Sequence, residues 1–386
     1  MRFNYKIKRY NDFNQQDYND FRNMKPVAQG IFDLYSSSEW CDLVSKIDKK
    51  EYIFFLVYDY DILISAMPII FNNNAVRNSD HYNIKYILEG RNLLFDKIIT
   101  QKALGDSNIY NSNITCCYYA ASNFDIKIND SKMNQNLIVK MTIDLFIDYC
   151  LKKKLNVAFI HVSEKNKLLN NILIEKGFIR LVDGPVYYMD IDSPSYLEKL
   201  QTMKYKTRKN IRREIKLFNN SNILFNITKE KNIIYEHIEL VKDNALKYGW
   251  HDFDSHYFKK RLEYLMNTLE YEFFYLSDDE KIIGSTFGIK YKNILYLDST
   301  GICNELCYKK YGLYYQLNYY HIYNYCINNN ISRVNYAEKS AINKLSRGCK
   351  IDMLYNYVFN VNNIKIEDIY LQEMNKILEM EVKYND

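Results

Sequence analysis

The sequence predicts an α/β (α+β) fold built from two similar halves. Three observations carry that prediction. Short apolar runs of strand length alternate with longer stretches whose apolar residues recur at helical spacing. The order β-β-(β)-α-β-α-β occurs twice along the 386 residues, a repeat that decides architecture before any single residue does. Each copy ends its last helix on a basic-Gly-apolar triplet, Lys176-Gly177-Phe178 and Arg347-Gly348-Cys349, with glycine where a left-handed cap favours it.

In the first half, Tyr52–Tyr60 and Ile62–Phe71 are rich in Ile, Phe, Val and Tyr and read as strands. Short apolar runs follow at Ile84–Leu88 and Cys116–Ala121. A helix is expected over Asn134–Lys153, where Leu137, Met141, Leu145 and Tyr149 recur every four positions and Ile138, Ile143 and Phe146 broaden the face. A buried strand, Val157–Val162, a helix over Asn166–Lys176 and a closing strand, Val186–Ile191, complete the half. The second half repeats this. Strands are expected at Tyr271–Leu276 and Ile282–Lys290, joined by the polar turn Ser277–Glu280, and at Ile294–Ser299. A helix over Leu313–Asn328, a strand over Ser332–Tyr336, a short helix over Ala341–Arg347 and a closing strand over Met353–Phe359 follow. Between the halves, Asp192 or Ser193 can cap a helix that has Pro194 at its first position and runs to Phe218. A second helical stretch covers Ile233–Leu265, broken near Gly249, and the tail Ile364–Lys383 reads as a helix. The natural division is residues 1–192, then 193–386 with the linker helix leading the second half.

Composition narrows the class. With 47% apolar and 26% charged residues, the chain is neither disordered, collagen-like nor a disulfide mini-protein. The 38 tyrosines reflect a compositional bias shared with Asn, Ile and Lys, so single residues of these types carry little signal. A net charge of +5 does not indicate nucleic-acid binding by the whole surface, but it leaves room for a local basic patch. The most apolar region, Tyr52–Phe71, is interrupted by Asp59, Asp61 and Pro68, so no membrane span is expected. Met1–Phe13 has no apolar core of a signal peptide. Reduced cysteines and a cytoplasmic location follow as expectations.

The charge is concentrated in one place. Lys204, Lys206, Arg208, Lys209, Arg212, Arg213 and Lys216 crowd a single helical stretch, opposed only by Glu214. Ile211, Ile215 and Phe218 give that helix an inward stripe, which leaves Arg208, Arg212 and Lys216 along a solvent edge. Arginine forks suit phosphate, and clustered like charges repel unless an anion lies nearby. The alternative is a solvated helix face.

This basic helix, Tyr196-Leu197 … Lys204-Tyr205-Lys206-Thr207-Arg208-Lys209-Asn210-Ile211-Arg212-Arg213, resembles the helix between the two domains of tandem-GNAT acyltransferases related to the Fem (FemABX-like) peptidyltransferases. So do Tyr296-Leu297-Asp298-Ser299-Thr300-Gly301 … Tyr311-Gly312-Leu313-Tyr314-Tyr315 and Asn335-Tyr336-Ala337-Glu338 … Lys344 … Arg347-Gly348. Phe32-Asp33-Leu34-Tyr35-Ser36 … Glu39-Trp40 is similar to the start of the family's first domain. The resemblance covers about residues 30–360. It implies two GNAT-like domains with mixed, mostly antiparallel sheets. It also implies an N-acyltransferase or aminoacyltransferase acting on an amine of a metabolite, a cell-wall precursor or a carrier-bound peptide, in peptidoglycan or natural-product biosynthesis. The implied donor is an acyl-carrier thioester, acyl-CoA or aminoacyl-tRNA, with no tightly bound cofactor. An acyl or peptidyl carrier protein, or a tRNA, is then a candidate partner. The competing reading is a non-catalytic binding module of the same fold that recognises a phosphate-bearing ligand.

Candidate site residues follow. Lys309 and Gly312 sit where a GNAT fold presents backbone N–H groups to a pyrophosphate, but Tyr314 stands where a small residue is usual. The equivalent stretch of the first half, Lys132–Asn136, has no glycine, so ordinary acetyl-CoA binding is disfavoured in both halves. Asp298, at the end of the expected strand Ile294–Ser299, and Glu338, after Ser332–Tyr336, stand in positions suited to a base for the acceptor amine. Lys344 lies where the family places a functional lysine and can hold a carboxylate, a phosphate or an oxyanion. Arg208, Arg212, Tyr336 and Arg347 complete the expected substrate contacts. His251, Asp252, Asp254 and His256 read either as part of a substrate-binding loop, Tyr248–His256, or as a capped loop leading into a helix near Tyr257; a five-residue His spacing does not stack two rings for a metal.

Overall fold

A computed structural model describes residues 3–28, 33–72, 113–118, 121, 123–129, 134–338 and 340–359. In chain order, the first half holds β1 (Phe3–Arg9), α1 (Gln15–Asn23), β2 (Lys25–Pro26), α2 (Ser38–Lys46), β3 (Ile53–Asp59), β4 (Ile62–Asn72), β5 (Asn113–Cys116), β6 (Lys127–Ile128), α3 (Gln135–Lys153), β7 (Asn156–Ser163), α4 (Lys167–Glu175) and β8 (Ile179–Asp190). Next come α5 (Tyr196–Lys199), α6 (Tyr205–Asn219), β9 (Leu224–Thr228), α7 (Ile234–Lys247) and α8 (Ser255–Thr268). The second half holds β10 (Glu270–Asp278), β11 (Lys281–Tyr291), β12 (Ile294–Ile302), α9 (Leu313–Tyr315), a π-helical turn (Gln316–Tyr320), α10 (His321–Asn328), β13 (Arg333–Asn335), α11 (Ala341–Leu345) and β14 (Lys350–Phe359). The sequence readings at Ile84–Leu88, Lys132 and Ile364–Lys383 lie outside the described residues.

The chain forms two compact units, Met1–Val186 with Asp352–Asp386, and Tyr187–Ile351. In the first, the strand order is β1-β3-β4-β5-β7-β14. Pairing is antiparallel except between β5 and β7. In the second, the order from β13 is β12-β11-β10-β9, and β12 with β13 is the parallel pair. The two sheets thus repeat one topology, as the duplicated element order predicts. The closing strands depart from it. Leu354–Phe359 of β14 pairs with β7 in the first unit, and Tyr188–Asp190 of β8 pairs with β13 in the second. A division at residue 192 therefore assigns residues 352–359 to the other half from the one they pack in. Sequence pattern does not choose between two similar closing strands; the sheet edge each reaches does.

Local chemistry sets the element ends. Asn14 and Asp17 form a capping box at α1, and Ser37 caps α2 through the Trp40 N–H. Gly177 (φ +81°) follows α4 in the left-handed region, and Phe178 N–H reaches Leu173 O. Asp254 accepts the N–H groups of His256 and Tyr257 at the start of α8, so the His251–His256 segment is a helix cap. Among the described residues no three or more of His, Cys, Asp and Glu gather as metal ligands would. The face of α3 is rotated from the simplest reading. Ile138, Val139, Ile143, Phe146 and Ile147 are buried, while Leu137 is exposed, because the flanking branched residues meet the sheet. The linker is not one helix. Ser195, not Asp192 or Ser193, caps α5, which passes into a 3₁₀ turn (Leu200–Thr202) before α6 begins. No helix of the described residues is long and apolar enough to cross a membrane. All eight cysteines are free.

Candidate functional site

Helix α6 has two chemically opposite sides. Ile211 and Phe218 are buried against the core of the second unit, with Ile215 partly so. Glu214 lies inward and is fully engaged. Its carboxylate takes Arg347 Nη2 at 3.0 Å to each oxygen and also the Tyr320 hydroxyl. Its carbonyl takes the Gln316 amide at 3.1 Å. The outward side carries Lys206, Lys209, Arg212, Arg213 and Lys216, all exposed and none with its side chain in an ion pair or hydrogen bond with a described residue. Arg208 departs from the expected solvent edge. It is half-buried, and its Nη1 donates to the carbonyls of Gln201 and Met203 at 3.3 Å each. It closes the helix entrance rather than facing a ligand.

The 3₁₀ segment Leu306–Tyr311 packs on α6 and brings exposed Lys309 to that neighbourhood. Gly312 follows at φ +61°, a left-handed conformation that favours glycine and turns the chain into α9. Tyr315 and Gln316 N–H groups bond to Gly312 O, and Glu214 backs this turn, its Cγ 3.9 Å from where a Gly312 Cβ would stand. The helix from Leu313 to Asn328 agrees with expectation except for its π-helical turn, which sequence periodicity does not signal. In that turn Asn318 Oδ1 accepts from Thr286 and Thr300 (3.1 and 3.0 Å), and Asn318 O accepts the Tyr336 hydroxyl (2.9 Å).

The parallel pair β12–β13 is short. Ile294–Tyr296 pair with Arg333–Asn335, after which β12 continues to Ile302 without that partner. Such openings at the carboxyl ends of parallel strands are where α/β sheets receive ligands. Asp298 occupies this stretch, inside β12 rather than at its end, because the strand runs on to Ile302, and it sits at a bulge opposite Phe287 and Gly288. Its carboxylate is paired with Arg261 of α8 at 3.1 Å, both side chains largely buried. On the other side, Glu338 follows β13, half-buried, and its carboxylate accepts no hydrogen bond from described residues. Lys344 is buried and its Nζ donates to the carbonyls of Tyr336 (2.6 Å), Ala337 (3.1 Å) and Glu338. Burial pulls its pKa down to about 7, against the charge of Glu338. Lys344 thus latches the loop carrying Glu338, and its charge is spent on backbone. Ala337 in that loop has φ +53°.

Two expected substrate contacts are committed elsewhere. Tyr336 is buried and stacked on Tyr319 at 4.8 Å. Arg347 is buried, holds Glu214, Tyr320 (2.8 Å) and Ser346 (2.8 Å), and lies 3.7 Å from the Tyr315 ring centroid. Both were singled out for motif position; their burial is a tertiary property. Sequence reasoning also missed His237 of α7. It is fully buried between Ser285 Oγ and Ser299 Oγ, each at 2.9 Å, and burial drives its pKa down to about 3, so it is a neutral strut under β11 and β12. No motif marks it.

This duplicated topology, with the helix α6 preceding the second sheet, defines a class. The FemAB-like family, described as peptidoglycan biosynthesis/recognition, matches residues 120–384, more than half of the chain. The chain belongs to this family. Solved structures resemble the chain in fold. FemX has a TM-score of 0.55 at 10% identity, covering 92% of this chain and 98% of its own. A conserved protein of unknown function from Bacteroides thetaiotaomicron has a TM-score of 0.50 at 15% identity, covering 83% and 88%. A tandem GNAT protein from the clavulanic acid biosynthesis pathway has a TM-score of 0.48 at 9% identity, covering 94% and 100%. No curated protein matches the chain in sequence.

Proposed function

We propose that the chain is an acyl- or aminoacyl-transferase that grips the phosphates of its donor with the outward face of α6. The carrying observation is that Lys206, Lys209, Arg212, Arg213 and Lys216 are exposed together with no acidic partner among the described residues. Five neighbouring cations without counter-charge repel one another and are relieved by an anion. Membership of the FemAB-like family supports a group transfer in cell-wall chemistry. The face runs about 15 Å along the helix axis, which suits a chain of phosphates more than one pyrophosphate. An aminoacyl-tRNA is therefore favoured over acyl-CoA, and a thioester on an acidic carrier protein is the next donor to test.

In this scheme the acceptor amine attacks the donor carbonyl. A C–N bond forms, and the C–O bond to the ribose, or the C–S bond of a thioester, breaks with its electron pair leaving on oxygen or sulfur. Glu338 takes the amine proton, and Lys344 positions its loop. Asp298 is held by Arg261, which makes it the weaker base candidate. The internal commitment of Asp298 and Arg347 favours the second reading, a phosphate-recognising module without turnover.

Binding of bulk aminoacyl-tRNA, coenzyme A thioesters and a loaded carrier protein decides between these. A Lys209→Ala, Arg212→Ala, Arg213→Ala variant should weaken the true donor about tenfold or more and flatten its salt dependence. Glu338→Gln should keep binding and lose transfer. Unchanged donor binding in the triple variant removes α6 from the site. Binding by the wild type without transfer to any cell-wall amine favours the recognition module.

A further inference from the structure

The eight cysteines fall into two groups. Cys41, Cys116, Cys117, Cys150, Cys326 and Cys349 are buried, and burial pushes each of these thiols up. A thiol kept protonated and away from solvent is chemically inert. Cys303 and Cys307 differ: the first is half-buried and the second exposed. They lie four residues apart, where β12 ends and the 3₁₀ segment Leu306–Tyr311 begins.

Both thiols turn to one carboxylate. Cys307 Sγ donates to Glu305 Oε2 at 3.7 Å, and the Cys303 thiol donates to the same carboxylate. Two sulfurs that share one acceptor group lie near each other. Lys281 Nζ takes the other oxygen, Oε1, at 2.5 Å and holds the Glu305 carboxyl below its ordinary range. That cation offsets the negative charge that would otherwise disfavour a thiolate beside it. The turn is pinned on both sides. Cys303 N–H donates to Ile283 O at 2.8 Å, Lys247 Nζ donates to Asn304 Oδ1 at 2.7 Å, and the Tyr308 hydroxyl donates to Asp278 at 3.0 Å.

We propose that Cys303 and Cys307 form a redox-active dithiol that a peroxide converts to an intramolecular disulfide. Cys307, the more exposed, attacks first. Its thiolate sulfur takes one peroxide oxygen, the O–O bond breaks, and the hydroxide released gains a proton and leaves as water. The Cys303 thiolate then attacks the sulfenic acid on Cys307. The S–S bond forms, the S–O bond breaks, and a second water leaves. Two thiols and one peroxide give one disulfide and two waters, with the sulfurs supplying the two electrons that reduce the peroxide. Closure takes both thiols off Glu305, so the 3₁₀ segment must move with Cys307. That segment carries Lys309 and leads into Gly312. The dithiol does not depend on the transferase reading.

The test treats the full chain, reduced and freed of reductant, with equimolar hydrogen peroxide. Alkylation under denaturing conditions and peptide mass mapping follow. Loss of two of the eight thiols is expected, with one peptide pair joining Cys303 to Cys307 and full recovery in dithiothreitol. Hydrogen exchange over Leu306–Tyr311 should change on oxidation and return on reduction. Cys307→Ser should lose thiols about tenfold more slowly, since the more protected Cys303 is left to attack. Cys303→Ser should stop at a sulfenic acid on Cys307 that dimedone traps. Neither side chain is in the core, so both variants should fold like the wild type. No loss of thiols, a bridge to another cysteine or between chains, sulfinic acid on Cys307 without a bridge, or unchanged exchange over Leu306–Tyr311 would each overturn the proposal. Transfer activity does not enter any of these outcomes, so the two readings fail separately.

Discussion

Replacing Glu214 by alanine tests the division of α6 into a structural and a functional side. Glu214 is the sole acid of that helix, and Arg347 is its buried partner, with side-chain exposures of 19% and 9%. Removing the carboxylate leaves a guanidinium in the protein interior with Tyr320, Ser346 and the Tyr315 ring, but no counter-charge. Breaking one partner of such a pair costs about 3–5 kcal/mol, because the surviving charge stays desolvated. For a unit of this size that lowers Tm on the order of 10 °C. Thermal melts and urea unfolding of Glu214→Ala read it directly. The double variant with Arg347→Met should recover much of the loss, since no charge is then stranded. Arg212→Ala, on the outward side of the same helix, should stay within about 0.5 kcal/mol of wild type. A Glu214→Ala protein as stable as wild type would refute the assignment of Glu214 and Arg347 to structure, and would return Arg347 to the substrate contacts.

Two buried bases make stability depend on pH, in different windows. His237 stays neutral in the folded protein down to about pH 3, whereas in the unfolded chain it protonates near 6.5. The unfolded state then binds more protons between those values, so stability should fall as pH drops through them. The stability difference between wild type and His237→Gln, from urea unfolding at pH 7 and pH 5, should shrink at the lower pH; a pH-independent difference contradicts this. Lys344 is lowered to about 7 from 10.5, so wild-type stability should rise with pH between those values. Lys344→Met should lack that rise, and a parallel pH profile in both proteins would exclude it. Gly301→Ala should destabilise by about 1–3 kcal/mol. Its Cβ would stand 2.5 Å from the Leu240 backbone, so α7 must shift; unchanged urea unfolding would show that the contact is looser than described.

Much of the fold was legible from periodicity. The paired strands β3–β4 and β10–β11, the helix at Gln135–Lys153 and the Gly177 cap fall within a few residues of their expected places. The strand β9 was not legible, because Leu224–Thr228 is short and half-exposed between helices. Nor was the extension of β8 back to Ile179, since Gly184 and Pro185 read as a break. For the site, the inward stripe and cationic face of α6 were both readable, since both are properties of one helix. The engagement of Arg208, Asp298 and Arg347 was not, because their partners are carbonyls at a helix entrance, a residue 37 positions away and a residue 133 positions away.

The sequence by itself determined the duplicated order of elements, the concentration of positive charge on one helix and the left-handed glycines Gly177 and Gly348. Each rests on side-chain pattern or backbone freedom within a few residues. Only the tertiary structure decided which closing strand completes which sheet, which of the charged residues remain unpaired, and that Cys303 and Cys307 alone among the eight cysteines escape burial. Those outcomes depend on burial and on partners distant in sequence, which local pattern does not encode.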